Sequence, residues 1–82
     1  MKEPINYLLW IFEPGEESKT IISNIAIEYE GTVTEVDEGE NMFISFPSGF
    51  CREIALEDML DTYTLDWILE DLPSSEMKRY RG

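Results

Sequence analysis

An 82-residue chain with 18 Asp and Glu against 6 Lys and Arg has a formal net charge of −12 and an isoelectric point near 4.1. Direct contact with nucleic acid or an anionic membrane is thereby disfavoured, because phosphate recognition relies on Lys and Arg and this field repels it. The length allows one domain with a small core, while 43% hydrophobic and 12% aromatic residues are too many for a disordered acidic segment.

The charge is unevenly spread. All 18 acids lie from Glu3 to Glu76, where Lys19 and Arg52 are the only bases besides them; Lys2, Lys78, Arg79 and Arg81 sit near the two ends. The apolar run from Tyr7 to Phe12 is short, stops at Glu13 and has no small-residue cleavage site, so no secretory signal is expected. A membrane span needs about 20 apolar residues, and no such stretch is present. Cys51 is the single cysteine and has no internal disulfide partner, which points to a cytoplasmic or otherwise reducing location.

Pro14-Gly15, Gly31, Gly39, Pro47-Ser48-Gly49 and Pro73-Ser74-Ser75 divide the chain into segments. Residues 5–12, INYLLWIF, are apolar on both faces, as in a central strand, although so short a run also fits a helix. In EESKTIISNIAIEYEG the residues Ile21, Ile22, Ile25, Ala26 and Tyr29 share a helical face, with acids at the start and Gly31 at the stop. Ile25, Ile27 and Tyr29 would alternate equally well in a strand. Residues 32–46 read as an antiparallel hairpin around the polar connection DEGEN, with Val36, Phe43 and Phe46 on its apolar faces.

The next two segments each admit two readings. FCREIALEDMLD is a helix through Cys51, Ile54, Ala55 and Met59, or a strand through Phe50, Ile54 and Leu56. TYTLDWILEDL is a strand through Tyr63, Leu65, Trp67 and Leu69, or a helix with a stripe at Leu65, Ile68, Leu69 and Leu72. Strand, helix, hairpin, helix, strand gives an α+β fold, a ferredoxin-like βαββαβ two-layer sandwich. The alternative is an antiparallel β-meander over residues 32–56 closed by a packed C-terminal helix over 57–72. Residues 1–73 form the expected single domain, and 74–82 a short flexible basic tail.

Catalytic chemistry finds little footing. The absence of histidine removes the commonest general base and the usual activator of Ser and Cys nucleophiles. Cys51, after Ser48-Gly49-Phe50, lies where a helix start would lower a thiol pKa, but a small buried apolar thiol is the reading that general cysteine burial favours. No CxxC pair suggests zinc, and Asp37-Glu38-Gly39 lacks the spacing of a calcium loop. No phosphate-binding glycine loop occurs. The expectation is a protein that is not an enzyme, with no cofactor and no metal.

The candidate partner-binding residues are therefore carboxylates. Glu28 and Glu30 flank Tyr29; Glu35, Asp37, Glu38 and Glu40 surround the hairpin connection; Asp66 and Glu70 lie four apart. Alternate strand positions are about 6.5 Å apart and i, i+4 helical positions about 6 Å apart, close to the roughly 7 Å between phosphates of one nucleic-acid strand. Such a row suits an inhibitor or modulator of a basic nucleic-acid-handling protein, acting by charge mimicry and electrostatic steering. Trp67 and Tyr63 would serve as anchors or, more ordinarily, as core. The competing reading is a small regulatory or structural domain that homo-oligomerises through its sheet, a homodimer for example, with acids that only solubilise.

Overall fold

The computed structural model describes residues 3–80, with side chains described to residue 77. Strand β1 (Ile5–Phe12) is followed by helix α1 (Glu16–Glu28), strand β2 (Thr32–Val36), a 3-10 turn (Asp37–Gly39) and strand β3 (Asn41–Phe46). Helix α2 (Gly49–Thr62), strand β4 (Asp66–Pro73) and a 3-10 segment (Ser74–Tyr80) complete the chain. The sheet order is β2-β3-β1-β4, and every neighbouring pair is antiparallel. The α+β two-layer architecture with βαββαβ order is thus the one observed.

The meander alternative is corrected by the second half of the chain. Residues 49–62 are helical and 66–73 form a strand paired along its whole length with β1, from Ile5 opposite Pro73 to Phe12 opposite Asp66. Local chemistry explains the helix start: the Ser48 hydroxyl accepts from the Cys51 amide at 3.1 Å, satisfying one of the donors that a helix start leaves unpaired. Helix α1 has no side-chain cap, and Gly15 enters it at φ 83°. Glu16 and Glu17 in its first turn complement the positive end of the helix instead.

Both helices cover one face of the sheet. Between the layers lie Leu9 and Ile11 of β1, Met42, Ile44 and Phe46 of β3, Ile22 and Ala26 of α1, and Ala55, Leu56 and Met59 of α2. Each fully buried large side chain here contributes about 1.5–3 kcal/mol. On the opposite face Leu8, Phe43 and Leu72 form a smaller cluster, joined by Trp10, Val36 and Met77. Trp10 sits 4.8 Å from Phe43 and 6.5 Å from Phe12 between ring centroids. Strand β1 is apolar apart from Asn6 because Leu9 and Ile11 meet the helical layer while Leu8 and Trp10 join the smaller cluster on the other face.

Two expected core positions lie elsewhere. Ile21 is 40% exposed, because only Ile22 and Ala26 of α1 point fully inward. Trp67 is 38% exposed on the edge strand, beyond the helical layer, and so is not a core residue. Cys51 is half-buried and packs against the main core, as a small apolar thiol does.

Candidate functional site: an acidic interaction surface

The hairpin connection is anionic and conformationally costly. Among the described residues, the non-glycine positions with positive φ are Glu13 (47°), Glu30 (65°), Asp37 (53°) and Glu38 (58°). Left-handed backbone costs an ordinary L-residue about 1–2 kcal/mol, and Gly, or less often Asn or Asp, normally occupies it. Here every such position is a carboxylate.

Three of the four meet at one end of the sheet. The register places Phe12 opposite both Asn41 and Asp66, so Glu13, the 37–40 connection and the start of β4 share that end. Asn41 fastens them together: its Oδ1 accepts from the Glu13 amide at 3.0 Å, and its Nδ2 donates to Asp37 Oδ2 at 2.7 Å. Glu13, Glu16, Glu38 and Glu40 line an open depression of about 310 Å³ whose remaining walls are Gly15, Lys19 and Gly39. Lys19 Nζ donates to Glu35 Oε1 at 2.7 Å and lies 3.3 Å from Glu16 Oε1. The hydrogen bond to Glu35 is the main cause that raises the Lys19 pKa, against the opposing effect of desolvation.

Of the carboxylates expected from the sequence, Glu35, Asp37, Glu38, Glu40 and Asp66 are brought to this end and are exposed. Glu28 and Glu30 close α1 at the other end of the molecule, since α1 runs from the acidic end back toward the start of β2. Glu70 faces away from the helices, half-buried, and accepts from Trp10 Nε1 at 3.1 Å. Sequence reasoning missed Glu13 and Glu16, which join the cluster only through the β1–β3 register. It also missed Glu53, Glu57 and Asp61, all exposed along the outer side of α2 at i, i+4, i+8 spacing. Once residues 50–62 are read as helix, that spacing is the signal that reveals them.

Both basic side chains between Glu3 and Glu76 are engaged inside the fold. Arg52 Nη1 donates to Asp71 Oδ1 at 2.6 Å and to the carbonyls of Leu8 and Glu70 at 3.3 and 3.4 Å, while its guanidinium lies 5.5 Å from the Tyr7 ring centroid. Lys19 is 16% and Arg52 12% exposed at the side chain. Both cations are thus held in ion pairs, Arg52 beneath the edge strand and Lys19 at the wall of the acidic depression, where Glu13, Glu38 and Glu40 face solution. Between the helices, Tyr29 donates to Asp58 Oδ2 at 2.7 Å; that bond, with desolvation, raises the Tyr29 pKa to about 12.

Among the described residues no group of three or more His, Cys, Asp and Glu is arranged to hold a metal ion. No helix among them is long and apolar enough to cross a membrane. What the fold and site define is a small acidic two-layer α+β domain with carboxylates concentrated at one sheet end and along one helix. Comparison with known proteins finds no matching family model, no similar curated protein and no matching solved structure.

Proposed function

We propose that this chain is an acidic protein-interaction module that inhibits or modulates a basic nucleic-acid-handling protein by presenting carboxylates where that protein expects phosphates. The observation that carries the reading is the set of left-handed carboxylates: Glu13 and Glu38 hold acids at strained positions at one end of the sheet, beside Asp37. Backbone strain retained at a cluster of one chemical type suggests a use for that chemistry. Glu53, Glu57 and Asp61 add a second row about 6 Å apart, near the spacing of phosphates. The withdrawal of Lys19 and Arg52 into ion pairs leaves a partner's Lys and Arg facing carboxylate. The reading involves no catalytic step and no cofactor, and it places the chain in the cytoplasm, where Cys51 stays a thiol.

The test is capture at low salt followed by competition. Captured proteins are assayed for nucleic-acid binding by fluorescence anisotropy as this chain is added. Competitive displacement of the nucleic acid is expected, weakened by salt and by the pair Glu38→Lys and Glu40→Lys. Captured proteins that keep their nucleic-acid binding unchanged, or a failure to capture any basic protein, would overturn the reading.

A further inference from the structure

Strand β4 has one side paired to β1 and one side open, and its carboxylates and proline flank an apolar run, Trp67–Leu69, that none of them interrupts. It spans eight residues, has no Lys or Arg, and meets proline only at its last position. Trp67, Ile68 and Leu69 are 38%, 53% and 46% exposed, so both faces of the edge are apolar. The helices pass over β1, β2 and β3 and leave β4 outside their layer. By contrast β2, at the other edge, has only five residues.

We propose that β4 pairs with β4 of a second copy of this chain, joining two four-stranded sheets into one across a two-fold axis. A two-fold perpendicular to the sheet keeps each residue opposite one on the same face, so a residue must sit on the axis. With Leu69 on the axis, Ile68 faces Glu70, Trp67 faces Asp71 and Asp66 faces Leu72 of the second copy. Each β4 carboxylate then meets an apolar side chain. Moving the axis to Ile68 sets Asp66 against Glu70, and moving it to Glu70 sets two Glu70 side chains against each other; like charges directly opposite are destabilising.

Two further placements fit this occupant. Trp67 of the second copy comes opposite Asp71, which already holds Arg52 at 2.6 Å, so the pairing brings the indole to the side of the sheet where that guanidinium lies. Antiparallel strands also direct the two acidic ends, with Glu13 and the 37–40 connection, toward opposite extremes of the joined sheet. The shortness of β2 limits head-to-tail growth and leaves a closed dimer.

Sedimentation velocity at high micromolar protein tests the pairing. Dimer is expected, and its fraction should rise between about 0.1 M and 1 M NaCl as the Debye length falls from about 10 Å to 3 Å and repulsion between two acidic bodies is screened. Leu69→Asp places two acids on the axis and should weaken the dimer by at least about tenfold. Ile68→Lys places two lysines opposite Glu70 and should strengthen it. Both positions are exposed, and circular dichroism checks that each variant is folded. A wild type that stays monomeric across this salt range, a dimer indifferent to Leu69→Asp, or one weakened by Ile68→Lys would overturn the proposal. Each of these outcomes leaves the inhibitory reading standing, because binding to a basic partner weakens with salt where self-pairing strengthens.

Discussion

Arg52 Nη1 meets Asp71 Oδ1 at 2.6 Å and so ties the first half of α2 to the edge strand. The same nitrogen donates to the carbonyls of Leu8 and Glu70, one on each of the two paired strands. Replacing it by Met keeps the stem and removes every donor. Arg52→Met is expected to lower stability by about 1–3 kcal/mol, the range for leaving half-buried acceptors unmade. Asp71→Asn, which keeps an acceptor at an exposed site, is expected to cost less than about 1 kcal/mol. Urea unfolding of both variants measures the difference, and equal losses would count against the account.

Tyr29 and Lys19 give the domain an alkaline limit. The folded-state pKa of each is raised, to about 12 for Tyr29, so the folded state holds its proton more tightly than the unfolded chain. That contribution is fully present below the unfolded values near 10 and is lost as pH rises through the folded ones. Thermal melting between about pH 9 and 12 should show Tm falling. Tyr29→Phe should have a shallower slope, and the slope should not change if the Asp58 hydrogen bond is absent.

Gly31 and Gly15 make opposite demands. A Cβ at Gly31 would lie 2.7 Å from Ile44 Cγ2, 2.8 Å from Phe46 Cε1 and 3.0 Å from the Ala26 carbonyl. Gly31→Ala is expected to destabilise by about 1–3 kcal/mol through overpacking. Gly15 has φ 83° and ψ 153° with open space around it, a conformation essentially confined to glycine, so Gly15→Ala carries only a backbone penalty of about 1–3 kcal/mol. Crystal structures separate the cases: Gly31→Ala should shift the ends of β3, and Gly15→Ala should move nothing in the core.

Glu38 separates stability from function. At φ 58° it occupies a glycine-like conformation, so Glu38→Gly is expected to raise stability or leave it unchanged, with a gain up to about 1 kcal/mol. On the reading proposed above, the same change should weaken capture of a basic partner. Chemical denaturation and binding run side by side decide this, and a variant that loses both stability and binding would show that the carboxylate serves the turn.

Much of the fold was legible in the chain because its central strands are covered on both faces. INYLLWIF and MFISF read as strands, and the polar Asp-Glu-Gly between two β-prone runs marks the hairpin. Residues 50–72 were ambiguous for a physical reason: Trp67, Ile68 and Leu69 are all exposed, so an edge strand shows no alternation between apolar and polar. The acidic end was half visible. Asp37, Glu38 and Glu40 could be seen as a cluster, but Glu13 and Glu16 join them through a register that no local pattern encodes. The left-handed carboxylates were invisible because Glu at such positions runs against backbone preference.

Residues 3–4 and 74–75 meet at one corner. The Ser74 amide donates to the Pro4 carbonyl at 3.0 Å, and the Ser75 amide to Glu3 Oε1 at 2.7 Å. That corner is opposite the end where Glu13 and the 37–40 connection gather. Chain that passes through this corner therefore lies on the far side from the acidic end, which is left facing solution. The nearness of residues 3–4 to residues 74–75 would let a short linker join them while the chain is reopened within residues 37–40, a cut that the β2–β3 pairing and the Asn41 hydrogen bonds would feel.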